Sequence, residues 1–355
     1  VVLEEEDLVM PELGLAMGHR LPFAAMLNTV KEAERRGLDF VGLGEGLGRG
    51  VFPELAVFAQ STQRIKLMTM IISIFGHSFV SVAAAIAFVD QISKGRAMLG
   101  LGSSIPHLVE NMHGIKFEKP ARRMKEYVQI VQQLLAKQPQ DRVFVDVVHG
   151  GVNYQGELFQ IQGATIDVEP EQEHLPVYVA AVGPRMIEVA GEVADGVILE
   201  HVSPGYLHGA KERLALGAQR ADRDVSGIEI MDYLLVSVAE DTKEAIDAVK
   251  PIMALHAAFP LYDSLWIGAG CLDGALQSRE FYARGDLEGA ARAIPDELIL
   301  AVSIAGTPQE CKRQLRERIE TLMPMGVKAF ALFPPVGTDM EQGYRAILDV
   351  AEGLT

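Results

Sequence analysis

Residues 176–200, PVYVAAVGPRMIEVAGEVADGVILE, combine residue types and spacing suited to holding an anion. Five apolar residues, 177–181, lie between Pro176 and Gly183-Pro184, which is the pattern of a strand buried on both faces. A helix starts at once, because Pro184 falls where a first-turn proline is tolerated and Ile187, Val189 and Ala190 begin an apolar face. The N–H groups of Gly183, Arg185 and Met186 would then point at one spot, aided by the helix dipole. The Arg185 guanidinium could add a charge-assisted bond. An ordinary strand-to-helix turn in an α/β protein would have the same spacing.

Two further residues could do acid–base work. Glu45 closes an apolar run in LGEG, and His77 follows another in FGHSF. An imidazole there could hydrogen-bond a substrate or shuttle a proton. The plainer alternatives are a carboxylate capping a loop and a residue opening a helix. No metal site is expected, since the nine histidines are scattered and form neither HExxH nor a Cys-His cluster. A Schiff-base lysine at a strand end and a GxSxG elbow are also missing.

The elements that would carry these groups alternate along the chain. Strands are expected over 12–17, 40–45, 65–72, 96–102, 177–182, 196–201, 229–238 and 329–334. Helices are expected over 23–36, 53–61, 80–93, 121–136, 185–193, 206–220, 243–258, 308–323 and 340–352. Eight strand–helix units fit a (β/α)8 TIM barrel better than an open sheet. Two connections are too long for plain loops: 137–174, with a hairpin turn at Gln155-Gly156, and 259–306. In a barrel the site lies at the C-terminal ends of the strands, which selects Glu45, residues 72–77, Gly102 to Ser104, residues 182–186, Glu200 and His201. Asp90 and Arg96 are expected to pair near the opposite end. Lys125 and Glu126 are expected on a solvated helix face. Met68, Met70, Met98 and Met231 are expected in the core.

Bulk properties bound the partners. With 355 residues, 49% of them hydrophobic, the chain can bury a large core in a single domain with insertions. The net charge of −16 argues against nucleic acid and anionic membranes. Two cysteines make no disulfide framework, and the acidic start VVLEEEDLVM is unlike a signal peptide, so a cytoplasmic location is expected. The apolar stretch 68–89 is interrupted by Gly76, His77, Ser78 and Ser81, and reads as strand then helix rather than a membrane span.

Three blocks, residues 88–103 (FVDQISKGRAMLGLGS), 176–198 and 303–335, carry a family resemblance. In order and spacing they resemble the bacterial-luciferase-like family of flavin and deazaflavin oxidoreductases. Residues 281–308, FYARGDLEGAARAIPDELILAVSIAGTP, are similar to its methylenetetrahydromethanopterin reductase-like subgroup, which uses coenzyme F-420.

The resemblance implies a TIM barrel with the cofactor ring at the strand C-termini and its phosphate on the turn formed by Ala180, Ala181, Gly183, Pro184, Arg185 and Met186. Family members often carry a non-prolyl cis peptide in the third strand, and the matching position is near Met70, Ile71 and Ile72. Glu45 matches the acid that contacts the ring, and Gly102 and Ser103 match the fourth-strand end. Gly100 and Gly102 would let backbone approach the ring. Gly46 stands where the family has a histidine, and Ile105 where many F-420 enzymes have a carboxylate. Proton transfer would then fall to Glu45, His77 or His107.

The expected activity is hydride transfer between F-420 and a small organic substrate, a C1-carrying pterin or folate or an alcohol or ketone. An FMN-dependent monooxygenase is the alternative, and a non-catalytic flavin-binding protein a third reading. Arg49, Arg185 and Arg20 are candidates for the acidic tail of F-420. The resemblance also implies a homodimer or higher homo-oligomer.

Overall fold

Eight apolar runs pair side by side into a closed parallel ring in the computed structural model, which describes residues 10–46, 48–137 and 151–354. The acidic start and the first part of the 137–174 insertion fall mostly outside the described residues. The strands are β1 (Glu12–Met17), β2 (Phe40–Leu43), β3 (Lys66–Thr69), β4 (Ile72–Ser73), β5 (Ala97–Gly102), β6 (Val152–Gln155), β7 (Gln160–Ala164), β8 (Val177–Ala180), β9 (Gly196–Glu200), β10 (Glu229–Val238), β11 (Ile304–Gly306) and β12 (Val327–Phe333). The ring runs β12-β1-β2-β3-β5-β8-β9-β10, and pairing of β10 with both β9 and β12 closes it as a (β/α)8 barrel.

The helices are α1 (Phe23–Arg35), α2 (Val51–Ser61), α3 (Phe79–Ser93), α4 (Pro106–Asn111), α5 (Pro120–Leu135), α6 (Pro184–Val193), α7 (Pro204–Arg220), α8 (Thr242–Ala257), α9 (Asp263–Gly268), α10 (Leu272–Ala283), α11 (Leu287–Ala293), α12 (Asp296–Val302), α13 (Pro308–Leu322) and α14 (Met340–Ala351). Several start where a polar side chain accepts a backbone N–H: Ser78 for α3, Ser203 for α7, Asp241 for α8, and a Thr307–Glu310 capping box for α13.

Side-chain alternation divides the core in two. Leu13, Leu15, Val41, Leu43, Leu99, Leu101, Val177 and Val179 face outward beneath the helices. Phe40, Met68, Met70, Met98, Tyr178, Ile198 and Met231 fill the barrel interior with Ala16, Ala329 and Ala331. All four expected core methionines lie in this inner cluster. Glycines on the inward positions make room for neighbours. A Cβ on Gly14 would meet the Phe40 ring at 2.5 Å, and one on Gly42 would meet Met70 at 2.7 Å.

The third expected strand is split. β3 ends at Thr69, the Met70–Ile71 peptide is cis, and β4 resumes at Ile72 to pair with β5. Gly100 and Gly102 lie against this segment. A Cβ on Gly100 would meet the Thr69 carbonyl oxygen at 2.1 Å, and one on Gly102 the Ile71 side chain at 2.4 Å. The space these glycines leave is therefore taken by the β3–β4 segment.

Two further expectations change. Asp90 and Arg96 do not pair. Asp90 accepts the N–H groups of Ala97 and Gln172, while Arg96 donates to the carbonyls of Ala59, Thr62, Ile65 and Ser93. Glu126 is not solvated but 1% exposed, and accepts the N–H groups of Glu157, Leu158 and Phe159 at 2.9, 2.9 and 3.0 Å. These belong to the turn of the β6–β7 hairpin, the expected insertion, which thereby docks on α5. The second insertion, 259–306, forms a 3-10 turn (Pro260–Tyr262), α9 to α12, and β11, which pairs with the end of β10.

Replacing Gly100 by alanine sets a methyl against fixed backbone, whereas at Gly102 it meets only a side chain that can rotate. Gly100→Ala is expected to destabilise the fold by about 3 kcal/mol and Gly102→Ala by about 1 kcal/mol or less. Urea unfolding of the two variants checks this; equal losses would contradict the account.

Candidate active site

Glu45 leaves the end of β2 and reaches across to the chain beyond the cis peptide. Its N–H donates to the Ile71 carbonyl at 2.9 Å, and its Oε2 accepts the Ser73 N–H at 2.7 Å. Its Oε1 lies 2.5 Å from His77 Nε2. One side chain thus joins the ends of β2 and β4 and sets the imidazole that follows. Tyr127 Oη donates to the His77 carbonyl at 3.2 Å, and Tyr127 packs edge-on to Phe79 and Phe159. The hairpin insertion therefore buttresses His77 through Phe159.

Burial opposes the charge on Glu45, but the His77 bond and the Ser73 N–H outweigh it and hold the carboxyl below its ordinary value. The Glu45 bond raises the His77 imidazole against the opposing effect of burial. Each partner thus favours the charged form of the other, the carboxylate that of the imidazole and the imidazole that of the carboxylate. With Nε2 engaged, no protein atom among the described residues bonds His77 Nδ1.

The turn after β8 lies on the same rim of the barrel. Gly183 is the N-cap of α6 and, unlike Ser78 or Ser203, brings no side-chain cap. The N–H groups of Gly183 and Arg185 stay without a protein partner among the described residues, Gly183 being itself buried and Arg185 exposed. The Met186 N–H does not, because it donates to the Gly183 carbonyl at 3.1 Å, which corrects its expected place among the free donors. Arg185 is exposed and bonds no protein atom among the described residues. Ala180 faces the barrel interior beside Ile71, while the Ala181 side chain is packed outward. Tyr206 Oη donates to the Val182 carbonyl at 2.9 Å and fixes the approach to the turn. Leu261, from the second insertion, lies 3.0 Å from where a Gly183 Cβ would stand.

The remaining sequence candidates divide. Met70 is buried in the inner core, Ile72 in the outer, and Ile71 is partly exposed between Gly102 and the barrel interior. Ser103 donates to the Ser104 carbonyl at 3.3 Å, and Ser104 takes φ 60°. Arg49 is not available to a ligand tail, since it pairs with Glu54 and donates to the Leu21 carbonyl. His107 bonds Asn111 on α4.

The end of β9 joins Glu200 and His201, which the strand-end rule selects, to His256, which sequence reading missed. His201 is not solvated; it is fully buried, in the left-handed region at φ 55°, with Nε2 2.7 Å from His256 Nδ1. Glu200 is bonded by Tyr262, whose ring stacks on His256 at 4.6 Å. Burial raises the Glu200 carboxyl above its ordinary value, against the pull of His256 and Tyr262. His256 lies 55 residues beyond His201 at the end of α8, a separation that no short motif reveals.

Residues 8–324 match the family model described as luciferase-like monooxygenase. The chain is 30% identical over 323 residues to a 5,10-methylenetetrahydromethanopterin reductase of Archaeoglobus fulgidus, covering 90% of this chain and 92% of that one. Its fold matches the coenzyme F-420-dependent tetrahydromethanopterin reductase of Methanopyrus kandleri with a TM-score of 0.76 at 23% identity, covering 96% and 97% of the two chains. It also matches an F-420-dependent secondary alcohol dehydrogenase with a TM-score of 0.73 at 18% identity, covering 98% of each.

The sign of the Glu45–His77 coupling gives a test. The raised imidazole keeps its proton to higher pH when folded, so that contribution is complete below the ordinary histidine value and fades as pH rises through the raised one. The lowered carboxyl contributes above its ordinary value and fades as pH falls through the lowered one. In an NMR titration His77 is expected to lose its proton above the ordinary imidazole range, and Glu45→Gln to bring the midpoint down. An unmoved midpoint would sink the pairing.

Proposed function

We propose, for a chain that belongs to the luciferase-like monooxygenase family of oxidoreductases, that it uses coenzyme F-420 to oxidise or reduce a small organic substrate. The observation that carries this reading is one barrel rim bearing both a Glu45–His77 couple and an uncapped helix start whose exposed Arg185 bonds no protein atom among the described residues. A protein of Mycobacterium tuberculosis named "Putative coenzyme F420-dependent oxidoreductase", 28% identical over 86% of the chain, supports F-420 over FMN, and the reductase relative is matched over nine-tenths of the chain. It favours a C1-carrying pterin or folate as substrate, with an alcohol or ketone next.

The residues present suit such a cofactor. The Gly183 and Arg185 amides and the Arg185 guanidinium are donors for a phosphate at a helix N-terminus. The inward side chains of Ile71 and Ala180 offer an apolar wall for a flat ring. When bound, the cofactor supplies the carbon that gives or takes the hydride.

The chain itself supplies position and a proton. Glu45 fixes the β4 backbone and keeps His77 protonated at Nε2. His77 Nδ1 is the nitrogen left to face a substrate oxygen or nitrogen and to exchange a proton with it. The hairpin and the 259–306 insertion stand beside the rim and would screen the reacting atoms from water.

Titration of the purified protein with F-420 and with FMN, followed by ligand fluorescence, tests the reading. Tight F-420 binding is expected, with FMN bound weakly. Preference for FMN would favour an oxygen-using monooxygenase, and binding of neither would refute the cofactor assignment. Arg185→Ala is expected to weaken F-420 binding by about 10- to 100-fold through loss of a charge-assisted bond. Glu45→Gln is expected to lower turnover by about 100-fold while F-420 affinity changes little; unchanged turnover would remove Glu45 from the chemistry.

A further inference from the structure

The cluster at the end of β9 goes unused by the proposed chemistry. We propose that Glu200, His201 and His256 form a binding site for a divalent transition cation of the zinc, cobalt or nickel class. Their ligating atoms lie close together: His201 Nε2 to His256 Nδ1 is 2.7 Å, His201 Nε2 to Glu200 Oε1 is 3.6 Å, and His256 Nδ1 to the same oxygen is 3.9 Å. A point equidistant from these three atoms lies about 2 Å from each, the length of a zinc–nitrogen or zinc–oxygen bond. Two imidazoles with one carboxylate is a borderline-soft donor set, which excludes calcium and magnesium as preferred ions.

The surroundings leave a place for positive charge. The neighbouring guanidinium, Arg318, is committed to Asp232 at 2.7 Å and to the Val202 carbonyl, so it cannot serve Glu200. Tyr262 bonds Glu200 and stacks on His256, a partner that would orient both ligands from behind. The Glu200 side chain is 20% exposed and His201 fully buried, so the cluster lies just beneath the surface of the rim. The ligands come from the barrel (Glu200, His201) and from the end of α8 just ahead of the second insertion (His256), so a bound ion would pin that insertion to the rim.

Cobalt(II) titration of untagged, chelator-stripped protein tests this. One equivalent is expected to bind with a dissociation constant below about 10 μM and to produce the visible d–d bands of a four- or five-coordinate ion. His256→Gln and Glu200→Gln, each verified as folded by circular dichroism, are expected to weaken binding by at least about 100-fold. His208→Ala, which removes the exposed His208–Glu212 pair on α7, is expected to leave it unchanged. No binding at millimolar cobalt, or binding unaltered in both His256→Gln and Glu200→Gln, would overturn the proposal.

Discussion

The Glu45 carboxylate is the tie on which the barrel rim depends. Among the described residues it is the one group that bonds backbone on the far side of the cis peptide and, at the same time, an imidazole four residues past β4. β3 and β4 are separate strands paired to the same neighbour, β5, and the Glu45 bridge adds a link from β2 to the second of them. Removal of that carboxylate would leave the Ser73 N–H and the His77 ring without their shared partner in a partly buried setting, which is costly for both. The glycines around this segment act in concert with the bridge. Gly42, Gly44, Gly100 and Gly102 each give up a side chain where Thr69, Met70 or Ile71 needs room.

Around that rim the insertions are anchored by polar side chains that are buried or partly buried. Glu126 satisfies three successive N–H groups of the hairpin turn, and Arg123 lies 4.6 Å from the Phe75 ring and 5.1 Å from that of Phe159. The second insertion is anchored by Arg279, which donates to the Ala257 carbonyl at 2.7 Å and pairs with Asp263. Trp266 and Leu265 are buried beneath it. Each insertion therefore reaches the rim through a short chain of contacts: Phe159 to Tyr127 to His77 on one side, Tyr262 to Glu200 on the other.

Much of this was legible in the sequence because it rests on local patterning. The eight strands and nine main helices follow from period-two and period-3.6 apolar spacing, with ends displaced by a residue or two. β3 was the exception: its apolar run continues through Ile72 and carries no mark of the break at Met70–Ile71 apart from the resemblance. Glu126 looked like a solvated helix residue because the atoms that bury it lie over thirty positions later. His201 and His256 were separate histidines until folding brought the end of β9 beside the end of α8. Sequence patterning locates the faces of elements; it is silent on which polar side chains long-range folding will force together.

The attachment of β11 has a consequence for how such a barrel diversifies. β10 is ten residues long, and its first seven residues complete the barrel while its last three, Val236 to Val238, pair with β11 at the close of the second insertion. That seam is made of main-chain hydrogen bonds, which are nearly indifferent to side-chain identity. The helices between α8 and β11 can therefore accumulate substitutions while their return point on the barrel stays the same. Such a division lets lineages revise what the rim recognises without renegotiating how the rim is built.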